Sequence, residues 1–148
     1  MAVNPDLTER EFAPTAPYLV GREKVREFAR AVSAEADVHD DVEAARRAGY
    51  TDVVAPPTFA MVIQDLTLQQ LLGDPTAGIV LERTVHAEQK FRATRPIVAG
   101  DELTATLSVT GIRTVGGNAM ITSEAEIVDA DGRHVVTAVS VLLVGAEE

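Results

Sequence analysis

Thr58-Phe59-Ala60-Met61-Val62-Ile63-Gln64-Asp65-Leu66-Thr67-Leu68-Gln69-Gln70-Leu71-Leu72 is the longest apolar run of the chain. Phe59, Ala60, Met61, Val62, Ile63, Leu66, Leu68, Leu71 and Leu72 point around most of a helical wheel. Such a helix must be enclosed rather than laid on a surface. Pro56 and Pro57 fit ahead of its first turn, where missing N–H groups cost little. Gly73-Asp74-Pro75 stops it.

Downstream, the period changes from 3.6 to 2. Leu81, Arg83, Val85, Ala87, Gln89 and Phe91 lie on one side of an alternation, with Glu82, Thr84, His86, Glu88 and Lys90 on the other. Leu103, Ala105, Leu107 and Val109 alternate with Thr104, Thr106, Ser108 and Thr110 as a half-buried strand, which Gly111 interrupts as a bulge would. Gly116-Gly117-Asn118 turns the chain into a third strand through Val128. Asp129-Ala130-Asp131-Gly132 makes a hairpin turn into a fourth, His134 to Val144, whose two apolar faces predict a central position.

Upstream, Val25, Phe28, Ala29 and Val32 recur at helical spacing after Gly21, and a short helix is expected from about Val42 to Ala48, capped by Gly49. Residues 1–17 carry Pro5, Pro14 and Pro17 with no clear period and are expected to form an extended N-terminal arm. Four long strands curling around one apolar helix describe an α+β hot-dog fold, with residues 1–148 as a single domain. One small sheet covers such a helix poorly from every side. Two units sharing one continuous sheet, as a homodimer or heterodimer, are therefore expected.

Composition excludes several functions. The net charge of -10 opposes nonspecific nucleic-acid binding, and a 4% aromatic content without Trp offers no stacking platform for bases. The chain has no cysteine, hence no disulfide framework or thiolate chemistry. With a polar, acidic Met1-Ala2-Val3-Asn4-Pro5-Asp6 start that is no signal peptide and no membrane span, this fits a cytoplasmic address. No metal-ligand spacing, Gly-rich phosphate loop or serine nucleophile elbow is present, and no cofactor is expected.

Two features carry candidate chemistry. His39 stands on a loop among Glu35, Asp37, Asp40 and Asp41. Histidine passes protons in either direction near neutral pH, so a loop histidine at a cleft suits acid–base work; the plainer alternative is a solvated surface histidine. The second feature is the helix start at Pro57, Thr58 and Phe59, whose free N–H groups and dipole favour negative charge and suit polarisation of a thioester carbonyl. The plainer alternative is that Thr58 only caps the helix. Among the basic residues, Arg22, Lys24, Arg26, Arg30, Arg46, Arg47, Lys90, Arg92 and Arg95, some could hold a phosphate, and most are expected on solvated faces. His86 and His134 lie in strand alternations, where a structural role is the usual one.

Three segments together carry a family resemblance: Tyr18-Leu19-Val20-Gly21-Arg22-Glu23-Lys24, Val53-Val54-Ala55-Pro56-Pro57-Thr58-Phe59, and Glu88-Gln89-Lys90-Phe91 leading to Arg95-Pro96-Ile97-Val98-Ala99-Gly100-Asp101. The chain resembles the MaoC-like (R)-specific hydratase/dehydratase family, closest to the HadA/HadC-type subunits of actinobacterial (3R)-hydroxyacyl-ACP dehydratase. The likeness runs from about Tyr18 to Val144. It implies an acyl-CoA or acyl carrier protein thioester as substrate and a second hot-dog subunit as partner. Catalytic members carry an Asp and, five residues on, a His that together activate the water added to a 2-enoyl thioester. Here the histidine position falls on His39 and the aspartate position on Ala34. The family's glycine, whose N–H joins the oxyanion hole, falls on Pro57, which has no N–H to give.

Three readings follow. The chain is a non-catalytic partner that shapes the acyl channel while another subunit supplies Asp and His. Or it is a stand-alone enoyl-thioester hydratase, with Glu35 or Asp37 replacing the absent aspartate beside His39. Or it is a hot-dog acyl-thioester binding protein or thioesterase. A one-residue shift displaces a carboxylate by about 3–4 Å, and catalysis is unforgiving of such misplacement, which favours the first.

Overall fold

The structure, a computed structural model, describes residues 2–147. A two-residue strand β1 (Tyr18–Leu19) leads into helices α1 (Arg22–Ala31), α2 (Val42–Arg47) and α3 (Ala60–Leu72). Strands β2 (Thr84–Ala93), β3 (Glu102–Val115), β4 (Asn118–Val128) and β5 (His134–Val144) follow. All pairings are antiparallel and the sheet order is β1-β3-β4-β5-β2. β5 lies between β4 and β2, as its two apolar faces predict, and β2 is an edge. The curled sheet around one apolar helix is the hot-dog fold.

α3 packs on the face formed by alternate residues of three strands: Leu103, Ala105 and Leu107; Ile121, Ala125 and Ile127; Val136, Ala138 and Leu142. Small alanines on each strand admit the helix, while Phe59, Ile63 and Leu71 fill the space and are fully buried. At about 1.5–3 kcal/mol per fully buried large apolar side chain, this helix–sheet contact dominates the stabilisation. The enclosure is one-sided. Asp65 and Gln69 are exposed, and Met61, Val62 and Leu66 only half-buried, because a single sheet covers one face of a helix.

The structure departs from the expected alternation of β2. Residues Leu81–Arg83 form a 3-10 turn, and the strand begins at Thr84. The register slips between His86 and Glu88, so Ala87 is an extra residue. His86 and Gln89 consequently share a face. His86 Nε2 lies 3.1 Å from Ser140 Oγ, and Gln89 Nε2 donates to Gln64 Oε1 of α3 at 2.6 Å. The bulge expected at Gly111 is present as a register shift between Val109 and Gly111.

Within residues 1–17, Pro5–Glu9 forms a 3-10 turn rather than extended chain. Pro5 presets its first φ, and the Asn4 side chain accepts the Asp6 N–H at 2.9 Å. The turn sinks Leu7 into a core with Leu71, Leu107 and Ile121, and Asn4 N–H donates to Ala77 O at 2.9 Å. Gly78, at φ +73°, lies so close that an added Cβ would stand 2.2 Å from Ala2 O.

α1 ends in a paired cap: Ser33 N–H donates to Arg30 O at 3.2 Å and Ala34 N–H to Ala29 O at 2.8 Å. This requires Ser33 at φ +56°, where glycine is the usual residue. Ser33→Gly is expected to raise the free energy of unfolding by about 0.5–1 kcal/mol, whereas Gly78→Ala lowers it by about 1–3 kcal/mol. Urea titration of the two variants checks both signs.

Candidate functional site

The cap at Ser33 turns the chain out of α1 into an exposed loop, which tightens into a 3-10 turn at Asp37–His39. The Asp41 side chain then accepts the Glu43 N–H at 2.9 Å and starts α2. His39 is thus held between two helix ends. Its anchor is the backbone of Val54: Val54 N–H donates to Val38 O at 2.8 Å, and His39 Nδ1 lies 2.6 Å from Val54 O. A carbonyl oxygen carries no proton, so Nδ1 donates and the lone pair of a neutral ring sits on Nε2. His39 is half-buried with that nitrogen left for other chemistry.

Val54 is itself fixed. Ala55 N–H donates to Ile97 O at 2.8 Å and Ala99 N–H to Val53 O at 3.0 Å. Just before it, Arg22 grips Asp52 with Nε at 3.0 Å from Oδ1 and Nη2 at 2.8 Å from Oδ2. The hydrogen bonds from Arg22 hold the Asp52 carboxyl below the usual carboxylate value.

His39 and Pro57 line one groove of about 510 Å³, together with Tyr50, Thr94, Arg95 and Ile97. Arg95 is a fixed cation there. Its fork meets Asp101 at 2.8 and 3.0 Å and Asp129 at 3.4 Å, which raises its pKa. Glu35 and Asp37 lie elsewhere. With Ala34, Arg26 and Arg30 they line a second hollow of about 360 Å³, whose wall shares only His39 with the first. Both carboxylates are exposed, and among the described residues neither pairs with His39.

The helix start divides its three residues. Pro57 faces the groove, and Thr58 is exposed with no capping side-chain bond. Phe59 is fully buried, with its ring edge-on to Phe28 at 5.3 Å, so it anchors the helix from inside the core. Phe59 N–H is spent on Pro56 O at 2.9 Å, leaving Thr58 with the first N–H after the two prolines. Sequence reasoning did not single out Tyr50, Thr94 or the Val54 carbonyl. No motif marks Tyr50 or Thr94, and the Val54 carbonyl, although its residue lies in a family segment, has no side-chain signature. Among the described residues no group of His, Asp and Glu is arranged to hold a metal ion, and no helix is long and apolar enough to cross a membrane.

Residues 7–138 match the FAS1-like dehydratase domain region. The chain belongs to this family. It is 61% identical over 148 residues to a UPF0336 protein of Clavibacter michiganensis, covering 100% of this chain and 99% of that one. The C-terminally truncated HadBC (3R-hydroxyacyl-ACP dehydratase) complex of Mycobacterium tuberculosis contains a chain of similar structure. Its TM-score is 0.77 at 29% identity, covering 90% of this chain and 92% of that one. A MaoC-like dehydratase gives a TM-score of 0.80 at 36% identity over 93% of this chain, which spans 41% of its length. The family resemblance and the hot-dog fold read from the sequence both hold.

The Arg22–Asp52 pair predicts a pH signature. Because the folded carboxyl titrates below its unfolded value, its contribution is complete above about pH 4 and disappears as the pH falls through the lower folded value. Asp52→Asn is therefore expected to be less stable than wild type at pH 7, with the gap closing in acid. Thermal unfolding from pH 7 to pH 2.5 measures it.

Proposed function

We propose that the chain is a subunit of a (3R)-hydroxyacyl-thioester dehydratase/enoyl hydratase, acting on an acyl-CoA or acyl carrier protein thioester in the cytoplasm. Residues 1–148 work as one hot-dog unit that shapes the acyl channel beside a second hot-dog subunit. One observation carries this reading. By the family resemblance Ala34 falls at the aspartate position, and Glu35 and Asp37, exposed in a second hollow that His39 also lines, do not pair with His39.

Hydration of a 2-enoyl thioester needs one group to take a proton from water as its oxygen bonds C3, and one to deliver a proton to C2 while the thioester oxygen bears charge. On this reading both groups come from the Asp–His pair of the second subunit, and His39 of this chain only lines the channel. Pro57 offers no donor to the developing oxyanion, so within this chain the role falls to Thr58 N–H or passes to the partner. Two observations support a docked subunit. β2 is an edge strand of ten residues, and the outer side of α3 is half-covered. The similar HadBC structure is a complex of two different subunits.

A stand-alone hydratase is the second reading, favoured by the orientation of His39, whose proton-accepting nitrogen is already free. Purified chain mixed with a trans-2-enoyl-CoA separates the two. Alone it is expected to add no water above background. Adding a hot-dog subunit with an intact Asp–His pair restores hydration, and His39→Ala in this chain changes that rate by no more than a few-fold. Hydration by the chain alone, abolished by His39→Ala, would overturn the partner reading.

A further inference from the structure

Thr94, the first residue after β2, lines the same groove as His39. Its N–H donates to Val135 O at 2.8 Å, which pins it against the start of β5. Its hydroxyl meets His134 Nδ1 at 2.5 Å, and His134 Nε2 in turn lies 2.7 Å from Thr137 Oγ1. A hydroxyl beside an imidazole whose other nitrogen is held by a third group is the arrangement by which enzymes activate a weak nucleophile. The Thr137 hydroxyl can accept from Nε2–H, and in that tautomer Nδ1 is open to take the Thr94 proton. Nothing in the hydration chemistry uses these three residues, yet the hydroxyl stands at the groove wall rather than inside the sheet.

We propose that Thr94 and His134 form a nucleophile–base pair that cleaves acyl thioesters in this groove. Thr94 Oγ1 bonds the acyl carbonyl carbon as its proton passes to His134 Nδ1. The C–S bond then breaks, and the departing sulfur takes that proton to leave as a thiol. Water, losing a proton to the same nitrogen, attacks the resulting threonine ester. The C–O bond to Thr94 breaks, the proton returns to Oγ1, and a carboxylic acid is released. Thr137 is a positioning residue, because it touches only the far side of the imidazole. The substrate class is a saturated acyl thioester, which has no double bond to hydrate. The proposal rests on the reading of this groove as the thioester-binding groove.

The test uses the full chain with butyryl-CoA, following free thiol colorimetrically and the acyl-enzyme by mass spectrometry of acid-quenched peptides. Wild type is expected to release thiol and to carry an acyl group on the peptide containing Thr94. Thr94→Val and His134→Gln should lower release by about 100-fold or more, while Thr94→Ser retains it. Thr137→Val should lower kcat with KM unchanged, a split that a purely structural tie between β2 and β5 does not produce. Enoyl-CoA hydration with the second hot-dog subunit is measured on the same samples. Thiol release at the buffer rate, or equal release by Thr94→Val, overturns the proposal. If hydration persists in that case, the groove assignment stands and only the Thr94 chemistry falls. If hydration is also absent, both fall.

Discussion

The contact that everything else depends on is the seating of α3 against the curled sheet. Phe59, Ile63 and Leu71 are fully buried there, over the small side chains of Ala105, Ala125 and Ala138. With α3 fixed, its entry at Pro56-Pro57 is fixed too, and the preceding segment from Val53 to Ala55 is clasped by hydrogen bonds from and to residues 97 and 99. That clasp presents the Val54 carbonyl to His39. The His39 turn is thus tied to the core through Val54, and a variant that loosens the helix start would disturb the histidine without touching it.

The same clasp explains why acidic neighbours do not complete the site. His39 is held by its Nδ1 bond to Val54 and lines both hollows, whereas Glu35 and Asp37 are carried into the outer one by the cap at Ser33 and the 3-10 turn that follows, without bonding to the ring. Proximity in sequence and a dense negative charge do not amount to a hydrogen bond. No carboxylate pairs with His39 among the described residues, in keeping with the proposal that an Asp–His pair lies on a second subunit docked at the free β2 edge or the half-covered side of α3.

Much of the fold was legible because it rests on periodicity. The apolar run from Phe59 to Leu72, the alternation of β3 and the two-faced apolarity of β5 each predict burial directly. His39 and Ala34 were singled out as the family's histidine and aspartate positions only through the family resemblance. What escaped depends on single backbone events. The extra residue at Ala87 reverses the faces of β2, and no local composition announces it. Ser33 adopts a conformation usually marked by glycine. Thr94 and His134 are forty residues apart and meet only because β2 and β5 pair. Phe59 counted as a groove residue by its place at the helix start, but the helix phase sends its ring into the core against Phe28.

His39 is held by Val54 as the Nδ1–H tautomer, with Nε2 unbonded among the described residues. Two-bond proton–nitrogen correlation NMR of the imidazole at a pH where the ring is neutral reads this directly. A protonated, hydrogen-bonded Nδ1 and an unprotonated Nε2 are expected for His39. A protonated Nε2, or averaged shifts for the two nitrogens, would contradict it.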